Sequence, residues 1–205
     1  MAFIGLRYVV AATAAEADGA ISYSNGFVVG KAVTAEIKVN SAGAKQYGDD
    51  AIAESENSFT DGTVDVSVVH MTDDIQTKLL GHKASEEGEE IVSNTADVAP
   101  YLGFGFYAVK MENNKRKYRA IFFTKVQFAE PSESLATKQG AVSFSVPTLN
   151  GTIMEDVTGN WKREQTFDTI AEAKKYLDDL VELNQEMYKA KVNEAEVGKA
   201  FVGGE

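Results

Sequence analysis

The stretch YLGFGFYAVKMENNKRKYRAIFFTKVQFAEPSES, from Tyr101 to Ser134, restricts the fold more than any other. Two long runs of strand-type composition flank Glu112-Asn113-Asn114-Lys115. Asparagine tolerates positive φ, so the junction reads as a hairpin turn. In the second run Tyr118, Ala120, Phe122, Val126 and Phe128 make one apolar face, while Ile121 and Phe123 put apolar groups on the other. A strand buried on both sides belongs in a sandwich, under a helix or against another subunit.

Period-2 alternation continues elsewhere. Val33, Ala35, Ile37 and Val39 alternate with polar residues, as do Val64, Val66 and Val68, and Val142, Phe144 and Val146. Pro100, Pro131 and Pro147 lie at or near segment edges, where strands tolerate proline. Thr169-Ile170-Ala171-Glu172 is a capping box. Ile170, Ala173, Leu177, Leu180 and Val181 follow at helical spacing, predicting a helix over 170–184. A shorter helix starts at Thr72, carries Asp73 and Asp74 in its first turn and stops at Gly81. Strands around two helices, without regular βα alternation, predict an α+β fold: an antiparallel β-sandwich flanked by one long and one short helix.

One domain over 1–184 accommodates these elements, with 185–205 as a C-terminal arm or tail. Residues 41–58 are rich in small and acidic side chains and read as a long loop, as does acidic 83–99. Loops of that length usually have a function.

The formal net charge of the 205-residue chain is −11. Gripping nucleic acid takes phosphate-neutralising basic groups, so this balance argues against tight DNA binding while allowing DNA to slide past. With no cysteine there is neither a disulfide framework nor a thiolate metal site. No apolar run reaches the roughly 20 residues of a membrane helix. In the opening MAFIGLRYVVAATAAEA, Arg7 follows apolar residues instead of preceding them, unlike a secretion signal.

Catalytic chemistry finds little support. His70 reads as a strand-end side chain and His82 as a dipole partner behind the Gly81 cap. Gly103-Phe104-Gly105 lies within a strand pattern, so its glycines mark a bulge or a close backbone approach rather than a dinucleotide site. No catalytic, cofactor-binding or metal-binding residue is assigned. Lys115, Arg116, Lys117 and Arg119 form the one basic patch, a solubilising strand end or a charge partner for an acidic loop of a neighbouring subunit.

The block GFGFYAVKMENNKRKYRAIFFTKVQFAEPSESLATKQGAVSFSVPTLNGTI and the ending GNWKREQTFDTIAEAKKYLDDL resemble the major tail tube proteins of long-tailed, non-contractile bacteriophages. Phe106 and Tyr107 stand where that family's aromatics fall. Lys125-Val126-Gln127-Phe128, Glu130-Pro131-Ser132 and Pro147-Thr148 match its later motifs, with glutamine replacing a lysine. The resemblance implies a structural subunit, not an enzyme. Six copies would form a ring whose inner sheets join into one β-barrel, and rings would stack into a tube that guides genomic DNA. Its partners would be itself, a tape-measure protein and tail-terminator or tail-tip proteins, in a virion tail assembled in the host cytoplasm. Asp65, Ser67, Ser143 and Ser145 suit a lumen wall. Tyr47, Gly48, Asp49, Asp50, Glu54 and Glu56 suit an inter-ring contact. The alternatives are the inner tube of a contractile or tailocin-like particle, and a β-sandwich surface-binding module.

Overall fold

The hairpin read from residues 101–134 is the centre of the molecule. The computed structural model describes residues 2–48, 51–84, 90–112, 114–132 and 146–183. Its strands are β1 (Ala2–Ala17), β2 (Ala20–Gly30), β3 (Ala32–Gly48), β4 (Ala51–Val68), β5 (Lys83–Ala84), β6 (Ile91–Val92), β7 (Leu102–Glu112), β8 (Lys115–Ser132), β9 (Thr148–Met154) and β10 (Lys162–Phe167). Its helices are α1 (Asp73–Leu80) and α2 (Ile170–Leu180). The main sheet runs β2-β1-β7-β8-β9-β4-β3, with β10 also on β8, and every pairing is antiparallel. Asn114 turns the β7–β8 hairpin with φ 61°, the conformation that favours asparagine.

β8 serves two layers. Its first half pairs with β7 and β10, and its second half with β9. Between them the register jumps from Phe104↔Phe123 to Leu102↔Val126, which inserts one extra residue into β8. Such a bulge reverses the side-chain alternation. Ile121 and Phe123 before it, and Val126 and Phe128 after it, therefore face the same core. Tyr118, Ala120 and Phe122 face the opposite way. The single apolar face expected from Tyr118 to Phe128 is thus split by the bulge.

The anticipated sandwich layers are two halves of one sheet folded over a shared core. Val9, Phe104 and Phe123 meet Val64, Val66, Leu149 and Ile153 there, with Leu79 and Leu80 of α1. A second core lies on the outer side of β1, β7 and β8, under α2. It joins Val10, Tyr107 and Phe122 to Ala173, Leu177 and Val181. This answers the two-sided burial of β8: one face lies inside the folded sheet and the other under a helix. Gly103 and Gly105 permit that second contact. A Cβ on Gly103 would lie 2.5 Å from the Tyr23 ring, and one on Gly105 would lie 2.8 Å from the Phe122 ring.

Both helix starts match the sequence. Thr72 caps α1, and Gly81 closes it at φ 77°. Thr169 and Glu172 form the complete capping box of α2. α2 stops at Leu180, short of the predicted 184, where Val181 caps it.

One expected loop is corrected, and a second holds a small hairpin. Residues 41–48 and 51–58 pair as strands, from Ser41↔Phe59 to Gly48↔Ala51. Ladder bonds are made by the backbone, so a ladder started by the valine-rich halves of β3 and β4 extends through residues with no apolar alternation. Within 83–99, Lys83↔Val92 and Ala84↔Ile91 form a small hairpin, and Asp97 closes a turn by accepting from the Asn94 amide. The expected arm 185–205 and strand residues Val142 and Phe144 lie outside the described residues. No closed barrel forms among the described residues of the single chain, because β2 and β3 do not pair.

Candidate assembly surfaces

Strand register assembles a polar surface on the outer face of β3, β4, β9 and the end of β8. Glu36, Asp65, Asn150 and Ala129 form one row across it, and Lys38, Thr63, Thr152 and Gln127 the next. Thr34, Ser67 and Thr148 form a third. None of these side chains is buried, whereas alternate residues Val64, Val66, Leu149 and Ile153 are fully buried beneath them. The surface is internally bonded. Ser67 and Thr148 hydroxyls lie 2.9 Å apart, Asn40 donates to Asp61 at 3.0 Å, and Lys38 pairs with Glu36 at 3.2 Å. Two of the four candidate lumen residues, Asp65 and Ser67, share this face. Ser143 and Ser145 lie outside the described residues.

β3 is an edge of the sheet, with β4 as its partner among the described residues. Ile37 and Val39, on the core-facing side of that edge, remain 37% and 46% exposed. The inward-facing row is therefore incompletely covered within one subunit. Of the candidate inter-ring residues, Tyr47, Gly48, Glu54 and Glu56 lie in the distal β3–β4 ladder. Asp49 and Asp50 fall outside the described residues. Phe59 marks the base of this extension, stacking on Trp161 at 4.6 Å with rings 1° from parallel.

The basic patch divides. Lys117 pairs with Asp168 at 2.6 Å, and Arg119 with Glu164. The Asp168 hydrogen bond raises the Lys117 pKa and lowers that of Asp168. Burial opposes ionisation of Glu164, but bonds from Lys162 and Arg119 overcome it and hold the carboxyl below its usual range. Half of the patch is therefore engaged within the subunit. Lys115 and Arg116 are exposed at the hairpin end.

His82 does more than face a helix end. Its Nδ1 lies 3.0 Å from Asp97 Oδ2, and its Nε2 lies 2.5 Å from Glu130 Oε1. Hydrogen bonding to Asp97, reinforced by Glu130, raises its pKa against the opposing effect of burial. Among the described residues no cluster of three His, Cys, Asp or Glu is arranged to hold a metal ion. No helix described is long and apolar enough to cross a membrane.

Sequence reasoning missed Glu36 and Asn150 as neighbours of Asp65, and Thr152 as the neighbour of Thr63. The alternation that exposes each was visible, but the register that joins them was not. A protein-family model described as "Phage tail tube protein" matches residues 28–189, from within β2 to beyond α2. No curated protein matches the chain.

Proposed function

Since the chain belongs to the phage tail tube protein family, a structural family of the virion tail, we propose that its copies close into hexameric rings that stack as a DNA-conducting tube. In this reading the polar face of β3, β4, β9 and β8 forms the channel wall. The supporting observation is the register itself: apart from Ala129 and Lys38, four neighbouring strands present uncharged polar or acidic groups, with no buried residue among them. Lys38 is paired to Glu36 on the same strand, so it is a poor phosphate hook. A wall that is hydrophilic and not basic wets the channel without holding the duplex.

The edge strand β3, with Ile37 and Val39 half-covered, supports lateral joining. Exposed edges invite pairing, and ring closure removes them. Repeated head-to-tail stacking is heterologous and so grows a filament. The distal β3–β4 hairpin is the proposed reach between rings. Tape-measure and tail-end proteins are the proposed further partners, with assembly in the host cytoplasm and a non-contractile tail.

The natural absence of cysteine allows a direct test. Asp65→Cys in assembled tubes should react with a small maleimide and resist one carrying a bulky polymer. Lys174→Cys on α2 should react with both. Equal reaction of Asp65→Cys with the bulky reagent would place this face outside the bore and overturn the assignment.

A further inference from the structure

His82 sits directly after the Gly81 cap of α1, its side chain only 6% exposed. Both of its ring nitrogens contact carboxylates, at 3.0 Å on Asp97 and 2.5 Å on Glu130. Ionised carboxylates only accept hydrogen bonds, and a neutral imidazole has a single N–H. The two contacts together require a proton on each nitrogen. We propose that His82 is a proton-operated clip that fastens the Asn94–Asp97 turn to the end of β8, closed as imidazolium and open when neutral.

The two carboxylates are not equivalent. Asp97 is 11% exposed and also accepts from the Asn94 amide at 2.9 Å, so its own turn holds it in place. Glu130 is 62% exposed, and His82 is its hydrogen-bond donor among the described residues. Loss of one proton therefore releases Glu130 first. Among the described residues, Asp97 and Glu130 are the charged groups that bear on the imidazole, and Lys83 of β5 bears on Asp97. The Asp74–Lys78 pair of α1 is satisfied within its helix. Gln127 donates to the Ala99 carbonyl at 2.8 Å and keeps the chain after that turn on β8. Opening thus frees the Asn94–Asp97 turn from β8 while Ala99 stays anchored.

The sign follows from the raised pKa. The clip's contribution is complete below the ordinary value of 6.5 and disappears as pH rises through the higher folded-state value. The device belongs to the subunit alone and does not depend on the channel reading.

Histidine NMR on the soluble subunit tests it. The chain has two histidines, so His70→Gln leaves His82 as the sole imidazole signal. His82 should titrate above the ordinary value, and Glu130→Gln should move it down. Amide protection factors over 90–97, corrected for intrinsic exchange, should fall up to about fivefold as pH rises through that titration. His82→Gln should show the low protection at every pH. A wild-type His82 that titrates at or below the ordinary value overturns the clip. So does protection that ignores both pH and the Glu130→Gln change.

Discussion

The Tyr23 hydroxyl on β2 donates to the Thr124 carbonyl on β8 at 3.0 Å, across the second core. Thr124 occupies the bulge of β8, where the extra residue takes backbone groups off the ladder. Its amide donates to the Trp161 carbonyl and its hydroxyl to the Asn160 carbonyl. Burial pushes the Tyr23 phenol above its usual pKa, and its ring meets Phe122 edge-on at 5.2 Å. Tyr23→Phe keeps that packing and removes the donor. Leaving a buried carbonyl unpaired should cost about 1–2 kcal/mol, read as a lower urea midpoint with an unchanged slope.

Gly105 tests how closely α2 is seated. A methyl group there would lie 2.8 Å from the Phe122 ring and 3.0 Å from Leu177 of α2. Gly105→Ala should destabilise the subunit by about 1–3 kcal/mol through overpacking. The near-UV circular dichroism of the Tyr23–Phe122 region should change with it. Gly159→Ala gives a contrast: no atom lies within 4 Å of its Cβ, but its φ is 78°. Its effect should come from backbone strain, about 1 kcal/mol, and leave the aromatic signal intact.

The sequence carried local information well and relational information poorly. Thr72, Gly81, Thr169 and Glu172 announced their caps because capping depends on neighbours along the chain. The two-faced burial around Ile121–Phe123 was equally plain. The bulge that turns Val126 and Phe128 back to the first core was not, since it is set by tertiary bonds to Tyr23, Asn160 and Trp161. Asp65 and Ser67 were legible as outward-facing, but their alignment with Asn150 and Thr148 depends on the β4–β9 register. The ladder beyond Ser41 was missed because its residues lack the apolar alternation by which strands are recognised.

Asp156 predicts an acid limb. Its Oδ1 accepts from the Thr158 amide at 2.8 Å, the Thr158 hydroxyl at 2.5 Å and the Asn160 amide at 3.0 Å. Burial works against its charge, but these bonds prevail and hold the carboxyl below the ordinary aspartate value of 3.8. A depressed carboxyl stabilises the fold above its unfolded pKa and loses that contribution as pH falls through the folded one. Asp156→Asn should lose roughly 1 kcal/mol at neutral pH. The gap to wild type should narrow below about pH 4, as followed by urea unfolding across an acid series. A gap that stays constant down to pH 2 would assign the loss to shape rather than charge.

The distal β3–β4 hairpin separates folding from assembly. Ser41, Ala42, Gly43, Asn57 and Ser58 are exposed, while Phe59 packs against the core. Replacing residues 44–56 by Asn-Gly would close the ladder at its Gly43↔Asn57 pair with a turn suited to a two-residue hairpin. Every core side chain described is kept, so stability should stay within about 1 kcal/mol of wild type. The acids Asp49, Asp50, Glu54 and Glu56 leave with the hairpin, and with them the proposed reach toward the next ring. The shortened subunit should remain folded by circular dichroism and form no long tubes in negative-stain images at high concentration. Tubes of normal length from that variant would assign stacking to another surface, with Lys115 and Arg116 at the β7–β8 hairpin the next to substitute.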